Sequence, residues 1–138
     1  MSFYKKLVGE RIYLSPTGAS EEEILKFMQW MNDFKVTDYI CRSAYLQTAE
    51  SEKEWLIKNS NNPDKRVFNI IEMNTDTIIG NVAFNSIDFV NRSGVLGIFI
   101  GNQDFLSKGY GQEAINLMLE YGFRYLNKKL FRFLQELI

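Results

Sequence analysis

The sequence predicts an α+β (α/β) fold in which helices flank a mixed, mainly antiparallel central sheet. Three observations predict it: amphipathic segments that begin at helix caps, apolar runs separated by turn residues, and a strand followed by a glycine loop and a helix. With 138 residues, of which 46% are hydrophobic and 14% aromatic, the chain can form the core of one domain, expected over residues 1–138.

Charge and residue usage exclude several classes of function. The net charge of −1 and the lack of a long basic run argue against a nucleic acid or a membrane surface as partner. The chain has no histidine, which excludes Ser-His and Cys-His catalytic pairs, and no metal site is expected. The one cysteine, Cys41, fits a reducing compartment. Because neither a signal peptide nor an apolar span of about 20 residues is found, a cytoplasmic location is expected.

The first predicted elements are a short strand over Arg11–Leu14 and a helix with a capping box. Ser20 is the predicted N-cap and Glu23 follows three residues later. The apolar stripe of this helix is formed by Ile24, Phe27, Met28 and Met31. Trp30 falls outside the stripe and Asp33 follows the helix. Each has two interpretations: a place in a functional surface, or a structural role in which Trp30 covers the core rim and Asp33 caps a helix end.

A second helix and an antiparallel meander follow. The helix is predicted to begin at its cap Thr48, and its apolar body is formed by Trp55, Leu56 and Ile57. Short turns between consecutive strands favour antiparallel pairing. The predicted strands are Val67–Glu72, Thr77–Phe84 and Gly94–Ile100. Gly80 and Gly97 lie inside the second and third of them, which indicates a bulge or the close approach of another group.

A glycine loop connects this strand to the next helix. Gly109 and Gly111 stand one residue apart, directly before a helical apolar pattern. The free N–H groups of a first helical turn, and the close approach that glycine permits, suit a phosphate group. From the loop alone, a phosphate site and a plain tight turn are both possible. The spacing matches neither the Walker loop nor the dinucleotide-binding fingerprint.

The run Ser107–Ala114 resembles the coenzyme A pyrophosphate loop of the GNAT N-acetyltransferases, which reads Arg/Gln-x-x-Gly-x-Gly/Ala. Two residues depart from that pattern: Leu106 stands where the family usually has Arg or Gln, and Ser107 where many members have Gly. The ordered series from Ile79-Gly80-Asn81 to Tyr121-Gly122-Phe123 resembles the family's sheet and following helix. The resemblance is strongest to ribosomal-protein N-terminal, aminoglycoside and polyamine acetyltransferases.

The resemblance implies an enzyme that transfers the acetyl group of acetyl-CoA to a primary amine by direct attack on the thioester. Two alternatives are a shortened domain that binds coenzyme A with little turnover, and an unrelated binding domain with a plain glycine turn. The implied cofactor-binding residues are Ile98, Phe99, Ile100, Ser107, Lys108, Gly109, Tyr110, Gly111 and Gln112. The acceptor, which is a small amine or antibiotic, a polyamine or a protein N-terminus, stays open.

The implied acceptor-side residues are Trp30 and Asp33. Many relatives carry a glutamate near position 95, where this chain has Val95. The general base is therefore open among Asp33, Asp88 and Glu72.

After the glycine-loop helix the family has a further strand, helix and strand, with a tyrosine placed as general acid. Residues 130–138 are too few for all three, so we expect the fold to lack the last strand-helix-strand, and no general acid is carried over. A strand over Phe131–Phe133 is favoured over a continued helix. An open sheet edge and a partly uncovered helix favour association, so we expect a homo-oligomer with residues 130–138 near the contact.

Overall fold

The structure, a computed structural model, describes residues 3–38, 40 and 46–126, and the backbone of residues 130–133. Cys41 and residues 134–138, on which predictions were made above, lie outside this part of the chain.

One sheet of six strands, in the order β1-β2-β3-β4-β5-β6, runs through the described residues. Neighbouring strands are antiparallel except β5 and β6, which are parallel, so the predicted mixed, mainly antiparallel sheet is confirmed. The strands are β1 (Leu7–Val8), β2 (Ile12–Pro16), β3 (Arg66–Glu72), β4 (Thr77–Asp88), β5 (Ser93–Ile100) and β6 (Leu130–Phe133).

Most strand bounds differ from the prediction by one or two residues, and two differences are larger. The short edge strand β1 was not predicted, since two residues carry no readable period. Strand β4 continues past Phe84 to Asp88, because a register shift between Phe84 and Ser86 absorbs one residue and pairing with β5 then resumes. The prediction had placed a bulge or a close approach at Gly80 and at Gly97. Strands β3 and β4 do shift register beside Gly80, between Ile70 and Ile71, whereas Gly97 pairs regularly with Ala83. The strand predicted over Phe131–Phe133 is present as β6.

Four α-helices occur in the described residues: α1 (Glu21–Met31), α2 (Phe34–Thr37), α3 (Ala49–Ser60) and α4 (Tyr110–Tyr125). The predicted capping box of Ser20 and Glu23 is confirmed, and Thr48 forms a second one with Ser51. Of the apolar residues predicted to form the body of α3, Leu56 is buried, whereas Ile57 is 44% exposed.

Helices α1 and α4 cover opposite faces of the sheet. The ring of Phe99 on β5 contacts Phe27 and Trp30 of α1, whereas its neighbour Ile98 lies beside Gly111 of α4. Successive side chains of a strand point to opposite faces, so β5 separates two layers of the molecule. In the part of the chain that the structure covers, no helix combines the length and the apolar character needed to cross a membrane.

Candidate active site

One edge of β5 is only half paired among the described strands. Strand β4 pairs with β5 from Asp88↔Ser93 to Gly80↔Ile100, whereas β6 pairs with it only from Ser93↔Leu130 to Leu96↔Phe133. The described part of β6 ends at Phe133, opposite Leu96, so the outer edge of residues 97–100 faces no described strand. The N–H and C=O groups of such an edge can bind an extended ligand as an added strand.

A groove of about 290 Å³ lies between this edge and the start of α4. It is lined by Ile98, Ile100, Phe105, Leu106, Ser107, Gly109, Tyr110, Gly111, Gln112 and Ile115. The structure therefore brings seven of the nine predicted cofactor-binding residues to one groove. Phe99 is not among them because it points to the other face of the sheet, and the side chain of Lys108 does not line the groove either.

The backbone of the glycine loop turns sharply before α4. Ser107 and Gly109 both adopt the left-handed conformation, with φ of 59° and 84°. Gly109 is the N-cap of α4 and makes no side-chain hydrogen bond, whereas Ser20, Asp33 and Thr48 cap the other described helices with their side chains. The first N–H groups of α4 consequently receive no acceptor from their cap, and an anionic ligand in the groove can fill that place.

A positive charge reaches the loop from a distant part of the chain. Arg11, directly before β2, donates from Nη1 to the Lys108 carbonyl oxygen (2.8 Å) and from Nε to Glu113 Oε1 (3.0 Å). Its guanidinium carbon lies 4.3 Å from the centre of the Tyr110 ring. Sequence analysis missed this residue, because the spacing within the loop contains no sign of a contact from residue 11.

The Glu113 carboxylate, which pairs with the Arg11 guanidinium, also binds the backbone at the start of β2. Its Oε2 accepts hydrogen bonds from the amides of Glu10 and Arg11 (both 2.9 Å) and of Ile12 (3.3 Å). Burial alone would raise the pKa of the Glu113 carboxyl, but the hydrogen bonds from the Arg11 backbone and side chain and from the Ile12 and Glu10 amides lower it below its ordinary value. Glu113 is thus held as a carboxylate that fixes the first turn of α4.

A second cavity, of about 220 Å³, lies on the other face of β5, between the sheet and helices α1 and α3. Its described lining is Phe27, Met31, Ile40, Gln47, Glu52, Trp55, Lys65, Asn81, Ala83, Asn85, Gly97, Ile98 and Phe99. Ile98 lines both the cavity and the groove, so the two hollows lie on either side of the same residue of β5.

Three of the polar side chains around this cavity are buried or fixed by hydrogen bonds. Asn81 is 5% exposed and donates to Thr17 Oγ1 (3.2 Å), while Lys65 donates to Asn59 Oδ1 (2.7 Å). Glu52, on α3, is 2% exposed. It was not predicted as a site residue, although its position four residues before the buried Leu56 places it on the inner face of the helix.

Residues 11–135 match the sequence profile described as an acetyltransferase (GNAT) domain. The chain belongs to the GNAT acetyltransferase family. It is similar to the uncharacterized N-acetyltransferase p20 of Bacillus licheniformis, with 28% identity over 88% of this chain and 67% of that protein. It is also similar to the uncharacterized N-acetyltransferase YnaD of Bacillus subtilis, with 29% identity over 72% of this chain and 55% of that protein.

Solved structures share the GNAT fold. A spermidine N-acetyltransferase from Vibrio cholerae in complex with CoA and spermine superposes with a TM-score of 0.74 and 21% identity, over 87% of this chain and 68% of that one. RimL, a ribosomal L7/L12 alpha-N-protein acetyltransferase in complex with coenzyme A, superposes with a TM-score of 0.76 and 15% identity, over 93% of this chain and 72% of that one. Ser107 has the left-handed backbone conformation that glycine adopts most easily, which agrees with the glycine that many GNAT members have at this position.

The two predicted acceptor-side residues of this GNAT chain do not line the cavity. Trp30 is 6% exposed and belongs to the core, so its placement outside the apolar stripe is wrong: the buried face of α1 is wide enough to include it, and Gly101 leaves room for its ring. Asp33 is the N-cap of α2 and accepts a hydrogen bond from the Lys35 amide (2.9 Å). A role for either residue toward the acceptor stays a prediction.

The other carboxylates considered as the base also lie away from both hollows. Asp88 is exposed and accepts hydrogen bonds from the amides of Val90 and Asn91 (both 3.0 Å). Glu72 closes the turn after β3: burial would raise the pKa of its carboxyl, but hydrogen bonds from Asn74 and Thr75 lower it. Within the described ranges, no group of three or more Cys, Asp or Glu side chains is placed to hold a metal ion.

Proposed function

We propose that this GNAT domain transfers the acetyl group of acetyl-CoA to a primary amine. The observation that carries the proposal is that two hollows share Ile98 of β5 in their linings: a groove suited to an anionic, extended ligand on one side of the strand, and a polar cavity on the other. The solved structures named above bind coenzyme A, and one of them also holds spermine.

The cofactor is proposed to lie along the groove. Its pyrophosphate would accept hydrogen bonds from the amides of residues 107–112, where the α4 N-cap makes no side-chain hydrogen bond. Its pantetheine arm would pair with the open edge of Ile98, Phe99 and Ile100 in the manner of an added strand. Leu106 stands where the family usually has Arg or Gln and carries no charge. Arg11, whose guanidinium donates to the Lys108 carbonyl oxygen, brings a positive charge to the loop instead.

The reaction needs no metal in this proposal. The protein holds the thioester carbonyl and the amine nitrogen in line, which is the main source of rate in a direct transfer. A backbone N–H of β5 would donate to the carbonyl oxygen as negative charge develops on it. The acceptor would enter from the cavity side of β5, and its amine nitrogen would attack the thioester carbonyl of the cofactor that lies in the groove.

The glycine loop offers the most direct test. Changing Gly111 to valine is expected to weaken coenzyme A binding at least tenfold, about 1.4 kcal/mol, because the added side chain fills the groove where the phosphate would approach. A β-carbon on Gly111 would lie 3.7 Å from Ile98 Cδ1, an ordinary contact, so the fold should persist. Calorimetric titration with coenzyme A measures the effect.

Glu120 provides the matched control for this substitution. It is an exposed residue of α4 that does not line the groove, so Glu120→Val adds the same β-branched side chain to the helix away from the proposed phosphate. A folded Gly111→Val variant that binds coenzyme A as tightly as the Glu120→Val variant would refute the phosphate site. Binding of coenzyme A without release of thiol over a panel of amines would instead support the alternative of a binding domain with little turnover.

Association into a homo-oligomer also stays a prediction. Large apolar side chains that support it are exposed at two places, the β4–β5 turn (Phe89 52%, Val90 90%) and the end of α4 (Phe123 54%, Tyr125 69%). We expect light scattering to show a dimer or larger species that dissociates when residues 130–138 are deleted. A monodisperse monomer near 16.1 kDa would contradict the prediction.

A further inference from the structure

We propose that Asn81 helps to select the acceptor: its Oδ1 accepts a hydrogen bond from a hydroxyl or an amide N–H group that the acceptor carries besides its amine. The inference rests on the acetyl transfer proposed above and names a second polar group of the acceptor. Three residues that do not line the cavity, Thr17, Asn69 and Glu23, fix the direction of the Asn81 side chain and act as positioning residues.

The place of Asn81 in the sheet brings it close to the proposed thioester. Asn81 lies on β4 directly opposite Phe99 of β5, and both residues line the cavity. Residues opposite each other on neighbouring strands share one face of the sheet, at a strand spacing of about 4.8 Å. An acceptor in the cavity that reaches β5 is therefore within reach of the Asn81 carboxamide.

A chain of three buried hydrogen bonds connects Asn81 to a carboxylate on α1. Asn81 Nδ2 donates to Thr17 Oγ1 (3.2 Å), and the Thr17 hydroxyl donates to Asn69 Oδ1 (3.1 Å). Asn69 Nδ2 in turn donates to Glu23 Oε2 (2.8 Å). All four residues are at most 5% exposed, so the bonds lie away from solvent and hold the side chains firmly.

The carboxylate sets the direction of every bond in this chain. A carboxylate accepts hydrogen bonds and has none to donate, and Glu23 Oε2 also accepts from the Gly18 amide (2.6 Å). Asn69 must therefore turn its Nδ2 toward Glu23 and its Oδ1 toward Thr17. Because the Thr17 hydroxyl donates its one hydrogen to that Oδ1, it can only accept from Asn81. Asn81 is consequently held with Nδ2 toward Thr17.

This orientation makes Asn81 Oδ1 the outer end of the chain, on the side of the cavity. Within the described part of the chain, Nδ2 has a partner and no donor reaches Oδ1. A buried acceptor without a donor costs free energy, which a hydroxyl or amide N–H of a ligand would recover. An ether oxygen or a tertiary amide at the same place would leave it unpaired. A site built around such a bond discriminates strongly against analogues that lack the donor.

Two other carboxamides line the cavity without this arrangement. Gln47 Oε1 accepts a hydrogen bond from the Ser51 hydroxyl (2.6 Å), so its oxygen already has a donor. Asn85 is half-buried and lies outside the chain to Glu23, so that carboxylate does not determine which end of its carboxamide it presents. Among the described lining residues, Asn81 is thus the carboxamide whose direction a buried carboxylate fixes.

The test compares two pairs of amines in which methylation removes the second donor and keeps the amine. The pairs are 3-amino-1-propanol with 3-methoxypropylamine, and β-alaninamide with its N,N-dimethyl derivative. The initial rate of thiol release from acetyl-CoA gives kcat/KM for each amine. In at least one pair, wild type should have a kcat/KM at least about tenfold higher for the donor member. The pair that shows the preference distinguishes a hydroxyl from an amide N–H.

Asn81→Leu removes the carboxamide and keeps the approximate size of the side chain. It should reduce this preference to less than about threefold, because the loss of Oδ1 removes the bond that discriminates within a pair. Coenzyme A affinity, measured by calorimetric titration, should stay unchanged, since the groove lies on the other side of β5.

Thr17 tests the chain without touching the cavity. Thr17→Val keeps the shape of the side chain but removes the hydroxyl that holds Asn81, so Asn81 can present either end. The preference should fall at least about threefold. Thr17→Ser keeps the hydroxyl and should retain the preference of wild type. A purely structural role of the chain would lower stability in Thr17→Val without changing the ratio of kcat/KM within a pair.

Each result decides the matter. A wild-type preference below tenfold in both pairs would overturn the proposal, as would a full preference in a folded Asn81→Leu variant, which would assign it to the bulk of the methyl groups. If Asn81→Leu does not fold, equal preference in Thr17→Val and Thr17→Ser would contradict the proposal. Coenzyme A binding without thiol release from any of the four amines would overturn this inference, because two of them carry the amine and the donor that it requires. Failure of wild type to bind coenzyme A would overturn the proposed function itself and this inference with it.

Discussion

Replacing Trp30 with alanine is expected to lower the free energy of unfolding by about 3–5 kcal/mol. The indole is 6% exposed and makes edge contacts with Phe27 and Phe99 at centroid distances of 5.5 and 5.9 Å. The cavity left by its removal lies between α1 and β5, and the neighbouring rings can fill it only in part. Chemical denaturation measures the effect, with Phe34→Ala as the control, because Phe34 is 65% exposed and its loss should change stability by less than about 0.5 kcal/mol.

A second substitution tests the packing of Trp30 directly. A β-carbon on Gly101 would lie 2.2 Å from Trp30 Cδ2, so Gly101→Ala should be strongly destabilising in wild type. It should be much less so in the Trp30→Ala background, where the indole is gone, and a double-mutant cycle measures that coupling. If Trp30→Ala instead left stability unchanged and altered only the kinetics toward the amine, the packing role would be refuted and the acceptor-side role supported.

Local patterns were sufficient for most of the sheet and helices. Ser20 with Glu23 and Thr48 at its helix start predicted two N-termini, because a cap depends on residues within one turn. The strands between Val67 and Ile100 were predicted for a similar reason: their turns and apolar runs are adjacent in sequence. The extension of β4 to Asp88 was missed, since it depends on pairing with β5 across a register shift.

The candidate site was predictable only where it is built from one stretch of chain. The groove residues around Gly109 and Gly111 come after β5 in the sequence, and the local pattern predicted a strand, a glycine loop and the start of a helix in that order. Arg11 and Glu52 reach the site from elsewhere in the sequence and were missed. Glu52 did carry one local sign, a charged residue on the inner face of an amphipathic helix, where charged side chains are rare unless paired.

Replacing Glu113 with alanine is expected to lower the free energy of unfolding by about 2–4 kcal/mol, because three backbone amides and the Arg11 guanidinium lose their acceptor at once. The contact also fixes the loop, since the same guanidinium holds the Lys108 carbonyl. Coenzyme A affinity should therefore fall together with stability. Glu120→Ala is the matched control on the same helix: its ion pair with Arg124 is exposed on both sides and contributes at most about 0.5 kcal/mol.

The pH dependence separates the charge of Glu113 from the size of its side chain. Because the pKa of this carboxyl is lower in the folded protein than in the unfolded chain, its stabilising contribution is complete above the unfolded value of about 4.3 and is lost as the pH falls through the folded value. The stability difference between wild type and Glu113→Gln should accordingly be constant from neutral pH down to about pH 5 and shrink below it. Urea denaturation at a series of pH values measures the difference. A gap of constant size down to pH 3 would show that Glu113 acts through shape and neutral hydrogen bonds, and that the anchor of the loop before α4 does not depend on its ionisation.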